Sequence, residues 1–191
     1  MKKEKSVFDF QDGRGEVPAH QHVNKNGDEG GWVADTAKVE DTAYIGKDAL
    51  VTGDALVTDN ARVFGNALVT GDARVFGNAR VWGNALVTGN ALVYGDALVY
   101  GDARVYRDAQ VYGNAQVETS RDYLVISPIG SRNAALTITF KPELRVTTGC
   151  FEYKTLKEFE KAVLDTHGHT DFGKEYLATI EYIKAIAELR K

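Results

Sequence analysis

The residues best equipped for chemistry lie in the last third of the chain. Gly130-Ser131-Arg132-Asn133 places a flexible backbone, a hydroxyl, a guanidinium and an amide in four consecutive positions. That set suits a phosphate or carboxylate, which takes a forked contact from arginine and further donors from backbone and side chains. Thr166-His167-Gly168-His169-Thr170 lies just ahead of an expected helix N-terminus, a place favourable to negative charge. A nucleotide also wants an aromatic platform, for which Phe151, Tyr153, Phe172 and Tyr176 are candidates. The ligand-binding set read from the sequence is Gly130, Ser131, Arg132, Asn133, His167, His169 and Tyr176. The plainer reading of the same residues is a turn and a helix C-cap.

Two other groupings are weaker. His20 and His22 would project to one side of an extended segment, and such a pair can chelate zinc or nickel. A site needs three or four ligands, and no others are specified nearby, so a short cap strand is the better reading and no metal is expected. Cys150 could act as a nucleophile beside His167, but no third group is specified to orient the pair, and a lone cysteine is more often inert packing.

The elements that must position these groups follow from hydrophobic pattern. Tyr123–Ser127, Ala135–Phe140 and Leu144–Thr148 read as strands. Thr155-Leu156-Lys157-Glu158 is a capping box opening a helix that ends near His167-Gly168. A second helix starts near Thr170 or Asp171 and carries Leu177, Ile180, Ile183 and Ile186 on its apolar side. Residues 119–191 are thus expected to form a small ββ(β)αα domain, one that wants extra burial against something larger.

The larger body is the stretch 35–118, fourteen consecutive six-residue phrases of the form Gly-Asn-Ala-Arg-Val-Phe. A period this short cannot bury its own apolar face and must stack on copies of itself. Alanine and valine two apart face inward, and Gly-Asn or Gly-Asp marks each corner. The phrase resembles the hexapeptide repeat of left-handed parallel β-helices, in which three hexads make one triangular coil. Fourteen hexads then make between four and five coils. The fold expected is mainly β, a left-handed β-helix followed by a small α+β domain, with residues 1–34 as an arm or cap and Trp32 as its plug.

Outward residues eighteen apart form ladders. Phe64, Trp82 and Tyr100 stack on one face and Phe76, Tyr94 and Tyr112 on a second, while Thr52, Thr70 and Thr88 run beside Leu50, Leu68 and Leu86 on the third. Aromatic rows of this extent suggest a subunit interface, and the resemblance implies a trimer. The alternative is that stacking only stiffens the coil.

The 191 residues carry a net charge of -4, which disfavours DNA and RNA and an anionic membrane surface. The opening Met-Lys-Lys-Glu-Lys lacks an apolar run, and no stretch approaches the length of a membrane span, so a cytoplasmic protein of a bacterial host is expected.

The β-helix fold is known from acyltransferases that rely on a histidine in the coils and on inserted loops. The fourteen hexads contain neither, so enzymatic activity is not expected, and no cofactor. The set Gly30-Gly31-Trp32-Val33-Ala34-Asp35, the hexads, Pro128-Ile129-Gly130-Ser131-Arg132 and Thr148-Gly149-Cys150-Phe151 also resembles phage and prophage hexapeptide-repeat proteins without an established reaction. That resemblance implies a viral setting. The function expected is a non-catalytic trimeric binding protein that captures a nucleotide-like anion or masks a host protein, with an acyltransferase and a virion accessory protein as alternatives.

Overall fold

The computed structural model describes residues 6–149 and 151–190. Fourteen two-residue strands, β4 (Lys38–Val39) through β17 (Gln116–Val117), occur one per hexad. They pair in parallel with the strand eighteen residues on, as Leu50–Val51 with Leu68–Val69 and that with Leu86–Val87. Three sheets result, and together they form a three-faced β-solenoid. From Val33 and Ala37 to Val117 the inward alanines and valines are almost completely buried, save the half-buried Val39 at the first edge of its face, which makes one continuous core. Side-chain ladders stiffen the corners: the amides of Asn78, Asn84 and Asn90 each donate to the aspartate eighteen residues later, at 2.9–3.0 Å.

The region before Asp35 is more regular than its composition suggests. It forms β1 (Val7–Asp9), β2 (Glu16–Val23) and β3 (Glu29–Ala34), in the order β1-β2-β3 at the end of one solenoid sheet. The last of these is a rung: Trp32 and Val33 pair in parallel with Leu50 and Val51, so each face has five rungs. Gly31 takes the place of the inward alanine because a Cβ there would lie 1.8 Å from the Ala49 carbonyl oxygen.

Two expectations for this region need correction. Trp32 does not plug the first coil; it lies on the outer surface with Phe8 stacked on it at 4.7 Å, over Leu50. His20 and His22 do not share a side, because the β2–β3 register shifts between Gln21 and Val23. His20 is exposed, with Nδ1 3.1 Å from an Asp35 oxygen, whereas His22 is buried. Asn24 covers the first edge of another face, accepting from Ile45 N–H and donating to Ile45 C=O, each at 2.9 Å.

After Glu118 the chain turns across the last coil and closes it. Each face receives one bond: Arg104 N–H donates to Ser120 Oγ, Gln110 N–H to Thr137 Oγ1 and Gln116 N–H to the Lys141 carbonyl. Tyr123 sits on the end of the solenoid core with its hydroxyl donating to the Arg104 carbonyl at 2.7 Å.

The module itself is an antiparallel sheet of β18 (Tyr123–Ile129), β19 (Ala134–Thr139), β20 (Arg145–Thr148) and β21 (Phe151–Lys154), covered by α1 (Leu156–His167) and α2 (Asp171–Glu188). Three strands are expected from the sequence; the fourth is the short alternation Phe151-Glu152-Tyr153-Lys154. The capping box at Thr155 and Glu158 and the C-cap at Gly168 form as read. Leu136, Ile138 and Val146 pack against Phe159, Val163, Ile180 and Ile183. Among the described residues no helix is long and apolar enough to cross a membrane.

Candidate functional site

The turn between β18 and β19 and the end of α1 converge on one cavity of about 300 Å³. Strand pairing brings residues 130–134 beside Thr148 and Gly149, and packing of α1 and α2 on the sheet adds His167 and Tyr176. Four of the seven residues singled out in the sequence, Ser131, Arg132, His167 and Tyr176, line it, together with Phe151 and Phe159.

The other three stand elsewhere. Gly130 lies behind the wall, and its N–H donates to Glu175 Oε2 at 3.0 Å, so it is not a donor for a ligand. Asn133 occupies the turn at positive φ, with its N–H bonded to the Gly130 carbonyl. His169 is exposed beyond the helix cap and does not line the cavity. Of the proposed platform residues, Phe151 is in place, Phe172 stays largely outside, and Tyr153 packs instead against Tyr112 of the solenoid. Cys150 lies outside the described residues.

The cavity has a definite electrostatic character. Among the described residues Arg132 forms no ion pair, and no carboxylate lines the cavity. Tyr176 is buried, with its hydroxyl turned toward the backbone of Gly130. Burial raises its pKa, with the Glu175 carboxylate adding to the effect and Arg132 opposing it, so the hydroxyl keeps its proton and can donate. The His167 ring stacks on Tyr176 at 5.5 Å, and Phe159 meets the same tyrosine edge-on at 5.7 Å. One cation, the Ser131 hydroxyl and an aromatic wall suit a flat anionic molecule. Among the described residues no three His, Cys, Asp or Glu side chains gather as a metal site.

The aromatic ladders form as read. Phe64, Trp82 and Tyr100 stack at 5.6 and 4.7 Å, and Phe76, Tyr94 and Tyr112 at 4.8 and 4.3 Å. Stacking leaves the rings half-buried or buried, which reduces the apolar surface that argues for an interface. The second row is also engaged by the chain's own module: Tyr94 donates to Glu152 at 3.2 Å and Tyr112 meets Tyr153.

Comparisons with curated proteins and with solved structures gave no match. The centre of the coil, residues 61–75, 79–95 and 92–107, matches the family model described as YdcK Beta solenoid repeat, so the chain is similar to a β-solenoid repeat family over its rod.

Proposed function

We propose that this chain is a non-catalytic binding protein of phage type whose C-terminal cavity captures a nucleotide-like anion. The observation that carries this reading is the cavity of Ser131, Arg132, His167 and Tyr176, which among the described residues holds a guanidinium without an ion-pair partner and has no carboxylate in its lining. Arg132 and Ser131 take a phosphate, and Phe151 and Tyr176 face the base. At about 300 Å³ the cavity suits one nucleoside phosphate better than a dinucleotide cofactor. The solenoid serves as rod and scaffold. In an infected bacterial cell, sequestering such a signal would blunt a host defence.

The test is a thermal-shift panel of mononucleotides, cyclic nucleotides and acetyl-CoA, with mass analysis of the recovered ligand. A shift with an unchanged nucleotide that Arg132→Ala abolishes supports capture. Turnover of acetyl-CoA overturns it in favour of an acyltransferase, and no shift with any compound overturns the cavity's role and leaves the masking of a host protein. In the same reading three copies associate along Phe64, Trp82 and Tyr100, the row the module leaves free. A monomer by light scattering at micromolar concentration would remove the trimer.

A further inference from the structure

A second cleft, of about 500 Å³, lies between the last coil and β18. One wall is the corner Tyr106-Arg107. On this face the three preceding rungs end in Thr52-Gly53, Thr70-Gly71 and Thr88-Gly89, so both positions depart from the repeat where they border the cleft. Arg107 holds φ +59°, a conformation disfavoured for a side chain with a Cβ. Asp59 is the other coil corner with a non-glycine residue at positive φ, and there the carboxylate accepts the Gly77 N–H at 3.0 Å. Arg107 has no such bond among the described residues, and Tyr106 beside it is 48% exposed. Strain kept without an internal contact points to an external one.

The opposite wall is β18, an edge strand of its sheet. Phe140 N–H donates to the Asp122 carbonyl, while Arg190 donates to the carbonyls of Arg121 and Tyr123 at 2.7 and 3.1 Å. Even-numbered residues here therefore turn their backbone groups to β19, and the odd-numbered Val125 turns its own to the open edge, with no strand beside it. Arg190 is held in place by those carbonyls and by the Phe140 ring, 4.6 Å away. Among the described residues that line it, the cleft sets two guanidiniums, Arg107 and Arg190, against one carboxylate, that of Asp108, one of whose oxygens already accepts from Asn90.

We propose that this cleft binds an extended acidic peptide segment of a partner protein, whose backbone pairs with Val125, the part of the β18 edge that Arg190 leaves free, while its carboxylates meet Arg107 and Arg190. The backbone of Val125 supplies strand pairing, and the two arginines select acidic side chains in a chain whose net charge is otherwise negative. The site is independent of the Arg132 cavity.

The test uses the full chain and a fluorescein-labelled Glu-Val-Glu-Val-Glu amide, followed by anisotropy, with the Lys-Val-Lys-Val-Lys analogue as control. The expected result is binding of the acidic peptide alone, protection of the Val125 amide from exchange, and roughly tenfold weaker binding by Arg107→Gly. That variant restores the repeat phrase, so its Tm should not fall; Arg132→Ala should bind the peptide as wild type does. No binding at millimolar peptide, or equal binding by Arg107→Gly, overturns the proposal. Displacement by millimolar inorganic phosphate without Val125 protection also overturns it, and identifies a small-anion site instead.

Discussion

The Tyr176 hydroxyl lies against the backbone of Gly130, so closely that a Cβ on Gly130 would sit 2.0 Å from it. Gly130 also holds φ +67°. The turn that presents Ser131 and Arg132 is therefore seated directly on the tyrosine of α2. Gly130→Ala is expected to lose about 1–3 kcal/mol from strain and overpacking together. Tyr176→Leu in the same chain should recover part of that loss, because it removes the obstruction and leaves only the backbone strain. Denaturation midpoints of the two single variants and the double measure the coupling, and simple additivity would show that the contact does not matter.

The junction between rod and module has its own fastening. Asp122 is buried in its side chain, accepts the N–H groups of Glu118 and Thr119 at 3.0 and 2.7 Å, and meets Lys141 Nζ at 2.9 Å. Burial alone would raise its pKa, but the Lys141 ammonium and the two N–H groups outweigh burial and hold the carboxyl below its usual value. Because the folded value is depressed, its stabilisation is present above the unfolded value, about 3.9, and is lost as pH falls through the folded value. Asp122→Ala is expected to cost about 1–3 kcal/mol at pH 7. The gap from wild type should stay constant down to about pH 5 and close in stronger acid; a gap that widens on acidification would contradict the ion pair.

The rod from Asp35 to Glu118 is legible because its period repeats the same instruction fourteen times, and no tertiary contact has to be guessed to place Val75 over Val57. Trp32 and Val33 escaped notice as a rung because Gly31 stands where the phrase has alanine, a substitution forced by the Ala49 carbonyl. Arg132, His167 and Tyr176 were readable as chemistry but not as neighbours, since their meeting depends on how α1 and α2 pack over the sheet. His169, two residues past His167, left the site because Gly168 caps the helix and turns the chain. The Tyr106-Arg107 cleft did leave a trace in the sequence, as the place where Thr-Gly, kept at Thr52, Thr70 and Thr88, stops recurring.

Gly31 offers a local test of how the solenoid begins. An added methyl would overlap the Ala49 carbonyl at 1.8 Å, and that oxygen belongs to the backbone of the next coil and cannot swing aside. Gly31→Ala should expel β3, and with it the hairpin of β1 and β2, while the later coils keep their own ladder bonds. Hydrogen exchange is expected to show loss of protection at Val33 and retention at Val87 and Val99. Uniform loss along the rod would mean that the solenoid unfolds as one unit.

His22 ties that same end to pH. It is 5% exposed and its Nε2 has no hydrogen-bond partner. Burial depresses its pKa and nearby His20 lowers it further, while the backbone of Ala43 and the carboxylate of Asp41 pull the other way without cancelling burial. For a base with a depressed folded value, the neutral folded form is favoured above the unfolded value of about 6.5, and stability falls as pH drops toward the folded value, because the unfolded chain takes up the proton first. Wild type should therefore lose Tm between about pH 7 and 5 relative to His22→Leu, which has no proton to bind at this position. The histidines at 20, 167 and 169 are common to both chains and cancel in the difference. Equal slopes of Tm against pH in the two proteins would show that His22 reaches solvent and does not govern the N-terminal end.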